Sequence, residues 1–279
     1  MRLLVTGAAG MLGRDVVAAA NDAGHEVVAL TRADLDIADA AAVRAAVVDA
    51  RPDAVVNCAA WTDVDGAEAE EAAATAVNGD GAGHVAAATA EAGALLVHVS
   101  SDYVFDGEAH EPYEEDAPTG PRSAYGRSKL AGERAVSGDR VAIVRSSWLF
   151  GPHGRNFVDT MRRVGVERDE VAVVNDQIGC PTHTGHLAPA LVAIAERGTT
   201  GILHVAGAGR CSWFDLAVAT FAEAAIDCDV RPQATAELGR PAPRPAFSAL
   251  ASTRSDAPIL PDWREGLRAH LARVEVTTQ

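Results

Sequence analysis

The chain has 279 residues, 48% hydrophobic and 23% charged, with 39 acidic against 24 basic side chains and a formal net charge of −15. This composition excludes an extended disordered chain, and the length suffices for one large domain or for a domain of about 150 residues with a smaller partner. The acidic balance disfavours a general surface for nucleic acid or acidic membrane, so small molecules are the expected partners, with room for a local basic pocket that takes a phosphorylated ligand.

The opening MRLLVTGAAG reads as a short buried strand entering a turn. Its apolar run is too short for a signal segment, and no later run reaches about 18 uninterrupted apolar residues, so a cytoplasmic protein without a membrane span is expected. Apolar runs at 3–6, 26–30, 54–57, 95–100 and 141–145 predict parallel strands. Between them, Ala-rich stretches at 12–23, 39–50, 68–92 and 124–136 predict crossover helices. This alternation predicts an α/β fold with a Rossmann-type doubly wound parallel sheet. After Gly151 the pattern loosens into helices at 156–167, 185–197 and 212–225, strands at 171–174 and 202–205, and a Pro-rich stretch at 240–245. The expected organisation is an NAD(P)-binding domain over 1–150 and a smaller substrate-binding part over 151–279, some of whose segments pack back on the first. Cys58, Cys180, Cys211 and Cys228 lie apart, without a CxxC pair or zinc-type Cys/His spacing, so reduced thiols and no metal site are expected.

Gly7, Gly10 and Gly13 form GxxGxxG between the first strand and the first helix. Small residues there let backbone approach a pyrophosphate at the positive end of the helix. The second strand ends at Arg32, which suits the 2′-phosphate of NADP, although Asp34 and Asp36 leave an NAD reading open. Asp36 and Ile37 can contact adenine, and residues 57–60, Asn-Cys-Ala-Ala, suit the nicotinamide ribose side. Tyr125 and Lys129 form a YxxxK pair whose four-residue offset places both side chains on one helical face. A nearby ammonium favours the Tyr phenolate and thereby proton donation to a carbonyl. Lys129 is the only lysine in a chain that uses arginine at every other such position, and arginine has neither the compact geometry nor the adjustable pKa for that task. Hydroxyls at Ser100 and Ser101, ending the fourth strand, face the cofactor crevice by topology; His98 within that strand reads as a packed core residue.

The strings TGAAGMLG, DLDI, VVNCAAWTDVDGAE, VSSDYVFDG, YGRSKLAGE, RSSWLFG, NDQIGCPT, RPAPRPAFSAL and LPDWREGL, in order over nearly the whole chain, resemble the extended short-chain dehydrogenase/reductase superfamily. Within it they resemble the dTDP-4-dehydrorhamnose reductase family. The resemblance implies reduction of the 4-keto group of dTDP-6-deoxy-L-lyxo-4-hexulose to dTDP-L-rhamnose with NADPH or NADH, of which Arg32 favours NADPH. It implies Tyr125 as proton donor, Lys129 as its partner, Ser101 as the assisting hydroxyl where the family more often has Thr, and Asp102 beside it at the sugar. Gly10, Met11, Leu12, Ala60, Trp61 and Thr62 match positions that touch the dinucleotide, Trp148 matches a residue lining the sugar, and Arg244 with Arg240 matches the approach to the nucleotide diphosphate. Some family members bind Mg2+ at a dimer contact near the position of Asp15; a required metal is not expected here, and a homodimer is one assembly left open. Two alternatives share these motifs: another dTDP-ketosugar reductase, such as a dihydrostreptose-forming homologue, and a non-catalytic dinucleotide-binding regulatory subunit.

Overall fold

Leu3 and Val5 enter one hydrophobic layer and Leu4 the other, and all three are fully buried. Burial on both faces is what a central parallel strand requires. The structure, a computed structural model, describes residues 1–277. Its main sheet is built from β1 (Arg2–Thr6), β2 (Glu26–Leu30), β3 (Ala54–Asn57), β4 (Leu95–Ser101) and β5 (Val141–Ser146). A later strand, Gly201–His204, pairs with β5, so the order is β2-β1-β3-β4-β5 followed by that strand, and every pairing is parallel. The chain reverses direction across the sheet between β1 and β3, which is where open α/β sheets bind ligands.

Helices cover both faces. α1 (Met11–Asp22) packs on one side and α2 (Ala40–Ala50) on the other, through Val16 and through Val43 and Val47 respectively. The Ala-rich run at 68–92, expected as one helix, is instead broken into α3 (Val64–Ala69), α4 (Glu71–Thr75), a π-helical turn (Ala76–Gly81) and α5 (Ala82–Glu91). The chain leaves helical geometry at Glu70, and the π-helical turn that follows seats Asn78, whose amide bonds the Trp61 backbone N–H at 2.8 Å and carbonyl at 3.1 Å, and Ser128 Oγ at 2.9 Å. Insertions of this kind concentrate at functional sites. α6 (Ala124–Ala135) opens on Ser123, whose hydroxyl accepts from Gly126 N–H at 3.1 Å.

Beyond residue 150 the chain forms small two-stranded ladders: β6 (Leu149–Phe150) with β9 (Thr182–His183), β7 (Glu170–Val174) with β12 (Asp229–Gln233), and β8 (Ile178–Gly179) with β11 (Cys211–Ser212). The Gly201–His204 strand of the main sheet is β10. α7 (Phe157–Glu167) is capped by Asn156, and α9 (Trp213–Glu223) by a Ser212–Asp215 capping box. α8 (Thr184–Arg197) lays Leu187, Leu191 and Ile194 into the same layer as Val16 of α1. Main-sheet packing therefore draws on chain from both sides of residue 150. A last helix, α10 (Trp263–Thr277), buries Trp263 and Leu267 against Phe150 and Leu216; no sequence signal marked it. No helix among the described residues is long and apolar enough to cross a membrane.

Candidate active site

A cleft of about 630 Å³ opens over the carboxyl ends of β1, β3 and β4. Its floor is the glycine turn. Gly7 adopts φ +65, and a Cβ there would fall 2.7 Å from Ala59 N, so only glycine fits between the turn and the strand beside it. No side chain caps α1, whose first N–H groups lack intrahelical acceptors. A helix start of that kind accepts a phosphate. The backbone cradle fits a dinucleotide pyrophosphate, with Gly7, Gly10, Met11, Leu12 and Gly13 along its wall.

At the far end of this floor Arg32, Asp36 and Ile37 line the cleft. Asp34 does not: its carboxylate accepts from the Thr31 N–H at 2.9 Å and hydroxyl at 2.7 Å, bonds that hold its pKa below the usual carboxylate range. Asp36 caps Ala38 N–H at 3.0 Å. Among the described residues, the exposed guanidinium of Arg32 is thus the only cation on that wall. Of the tetrad at 57–60, Cys58, Ala59 and Ala60 line the cleft with Trp61 and Thr62. Asn57 turns inward, accepting from Thr6 Oγ1 at 2.6 Å and bonding His98 Nδ1 at 3.1 Å. Burial holds His98 well below the usual imidazole range, so it is a neutral core residue.

Tyr125, Lys129, Ser101 and Asp102 meet in the same cleft. Lys129 is 3% exposed and donates to the Val99 carbonyl at 2.8 Å. Burial brings its pKa down to about 8, against the opposing pull of Glu133 one turn further along α6. Ser101 Oγ donates to Asp102 Oδ1 at 3.0 Å, and Ser147 Oγ donates to Oδ2 at 3.1 Å. Burial pushes Asp102 up to about 6, which these hydroxyls offset only in part. Tyr125 is pushed up to about 12 by burial, with Ser101 lowering it and Asp102 raising it. In the free chain the Lys129 ammonium donates to the Val99 carbonyl, and Tyr125 stays protonated. Ser100 differs from Ser101 in donating to Glu133 Oε1 at 2.6 Å. Glu133 in turn holds Arg145 through two bonds of 2.9 and 2.8 Å, in a pair whose side chains are 5% and 3% exposed.

Trp148 also lines the cleft, whereas Arg244 stands outside its lining. The Arg244 guanidinium forks onto Asp65 at 2.7 and 2.8 Å, and this pairing holds the Asp65 carboxyl down at about 2. Asp15, at 6% exposure, bonds Thr184 Oγ1 and has His153 Nε2 at 3.7 Å. Among the described residues no group of three or more His, Cys, Asp or Glu side chains is arranged to hold a metal ion. Sequence reasoning missed Tyr103, whose ring meets Tyr125 edge-on at 5.5 Å, and Arg155 and Trp213, which also line the cleft. Tyr103 stood in the quoted SSDYVFDG string, but nothing local marked Arg155 or Trp213.

A helical pair of partly buried Tyr125 and buried Lys129, facing the glycine turn of a parallel sheet, defines a class, the dinucleotide-dependent oxidoreductases of the extended short-chain dehydrogenase/reductase type. Comparison with known proteins is more specific. Residues 1–276 match the model of the RmlD substrate binding domain family, and the chain belongs to that family. It is 49% identical over 278 residues to a dTDP-4-dehydrorhamnose reductase of Streptomyces griseus, covering 95% of this chain and 91% of that one. It is 48% identical over 268 residues to a dTDP-4-keto-6-deoxy-D-glucose reductase of Streptomyces niveus, covering 95% and 90%. Its structure resembles that of a dTDP-4-dehydrorhamnose reductase from Bacillus anthracis in complex with NADP, with a TM-score of 0.94 and 38% identity over 98% of this chain and 99% of that one.

Proposed function

We propose that the chain reduces the C4 ketone of dTDP-6-deoxy-L-lyxo-4-hexulose to dTDP-L-rhamnose with NADPH. One observation carries the reading: Tyr125, Ser101 and Lys129 face the same cleft as the glycine turn and Arg32, in a chain whose relatives are named for this reduction. A bound reduced nicotinamide supplies the hydride.

The chain's own residues do the rest. Ser101 turns its hydroxyl from Asp102 to the ketone oxygen and fixes the carbonyl. Tyr125, fully protonated near neutral pH with its pKa at about 12, is an acid with a proton to give as negative charge develops on that oxygen. Lys129 uses one of its three N–H donors on Val99 and keeps the others for a ribose hydroxyl, which links it to the phenol. Met11, Leu12, Arg32, Asp36, Ile37, Ala60, Trp61 and Thr62 hold the dinucleotide; Asp102 and Trp148 meet the sugar. Arg244 and Asp65, already paired, present a positioned guanidinium at the approach to the diphosphate.

The test follows loss of nicotinamide absorbance with the dTDP-4-ketosugar and assigns the product's C4 stereochemistry by NMR. Cofactor consumption that yields dTDP-L-rhamnose is the expected result; no consumption under saturating substrate rejects the reading. The 48% relative named for a different dTDP-ketosugar supports a second reading, in which dTDP-4-keto-6-deoxy-D-glucose, inverted at C3 and C5, is the better substrate, and the same panel separates the two by kcat/KM.

A further inference from the structure

The sugar end of the cleft contains a backbone conformation that its residue type resists. Trp148 lies at φ +48, in the left-handed region where a bulky side chain crowds its own backbone, and such residues persist where their surroundings over-determine them. Its indole stacks on Trp213 with ring centroids 3.6 Å apart and planes 4° from parallel. A Cβ on Gly179 would sit 2.4 Å from Trp148 Cε2, so only glycine leaves room for the ring. The Trp148 carbonyl accepts from Thr182 N–H at 3.2 Å.

Trp213 is fixed in turn. Its Nε1 donates to Gln177 Oε1 at 3.1 Å, and Gln177, 5% exposed, donates to Thr235 Oγ1 at 2.9 Å. Phe157 packs on the ring at 4.6 Å between centroids, and the Ser212 capping box anchors the helix start from which the ring projects. The tandem glycine and amide of Asn175-Asp176-Gln177-Ile178-Gly179 therefore serve one purpose, the seat of two stacked indoles.

We propose that Trp213 is a positioning residue for the nucleotide sugar, acting through Trp148. By stacking, it holds Trp148 in the left-handed conformation that presents the second indole as a wall of the sugar site. The proposal rests on the reading of Trp148 as a sugar-facing residue. It implies that Trp213 governs the affinity of the ketosugar, leaving proton transfer and dinucleotide binding untouched.

The test combines kinetics with circular dichroism, because two indoles stacked this closely give an exciton couplet whether or not a sugar is bound. The full-length protein should show the couplet, and Trp148→Phe and Trp213→Phe should each abolish it. Trp213→Leu should raise the KM for the dTDP-ketosugar about tenfold, the scale of one lost apolar contact in a pocket, with kcat and the NADPH Kd little changed. Trp213→Phe, which restores a flat ring, should recover most of that KM without the couplet. If Trp213→Leu fails to fold, Gln177→Leu, which frees the Trp213 indole, must still raise KM. An unchanged KM in Trp213→Leu while Trp148→Leu raises it overturns the proposal and leaves the sugar-facing reading of Trp148 standing. An unchanged KM in both overturns that reading too.

Discussion

Replacing Asp102 by Asn should stabilise the fold near neutral pH and impair the enzyme. The carboxyl is 2% exposed, and burial raises its pKa from 3.8 to about 6. The folded chain therefore holds this proton more tightly than the unfolded chain does. Stability contributed by the protonated form is fully present below the unfolded value and is lost as pH rises through the folded one. Each tenfold change in proton affinity is worth about 1.4 kcal/mol, so the ionised group costs about 3 kcal/mol near pH 8 and roughly half of that near pH 5. Asn carries no charge at either pH. Its amide nitrogen does mismatch one hydroxyl donor, since Ser101 and Ser147 both donate to the carboxylate, at about 1 kcal/mol. Asp102→Asn should thus gain about 2 kcal/mol near pH 8 and a few tenths near pH 5, measured by urea denaturation at both. The ketosugar KM should rise because a polar acceptor at the sugar is weakened. A variant less stable than the parent by the same amount at both pH values would show that burial of the charge is not what perturbs this group.

Three other substitutions probe separate parts of the site. Lys129→Arg should lose about 10²–10⁴-fold in kcat, since the longer planar fork cannot replace a compact ammonium; the parent's kcat/KM should also fall above about pH 8, where Lys129 loses its proton, and this limb should be missing from the variant. Arg32→Ala should remove the preference for NADPH over NADH, a loss of about 1–3 kcal/mol in the ratio of kcat/KM values; an unchanged ratio means that the 2′-phosphate does not meet this guanidinium. Glu133→Gln should destabilise the fold by about 3–5 kcal/mol, because it strands the Arg145 charge within a pair that is 3–5% exposed; a denaturation midpoint equal to the parent's would contradict that.

The parts of the site that could be read from the sequence are those with local causes. Gly7 and Gly13 are written into the turn they make, and the four-residue spacing of Tyr125 and Lys129 needs only a helix to bring them together. The alternation of Leu3, Leu4 and Val5 between the two layers is likewise a property of the strand itself. What escaped reading depends on distant partners. The run at 68–92 has the Ala content of a regular helix, yet it carries a π-helical turn from which Asn78 reaches Trp61 and Ser128, 17 and 50 positions away. Arg244 could be recognised as a phosphate-type residue, but not its pairing with Asp65, 179 positions earlier. Trp213 carries no signal of its own, because its role depends on a ring 65 positions back in the chain.

The same distinction separates two meanings of the Tyr–Lys pair. Spacing puts Tyr125 and Lys129 on one face, and from spacing alone the ammonium ought to depress the phenol. Burial does the opposite to both groups, raising Tyr125 to about 12 and lowering Lys129 to about 8, since a low-dielectric wall disfavours any charged form. Asp102 moves the same way. Near neutral pH Asp102 is still mostly ionised and Lys129 mostly protonated, while Tyr125 keeps its proton, which suits an acid that must hold it until a ketone arrives. In the proposed reading a ribose hydroxyl links Lys129, held on the Val99 carbonyl, to the phenol. On this reading the acid is armed by the loading of the cleft, so that proton donation and hydride delivery become available together.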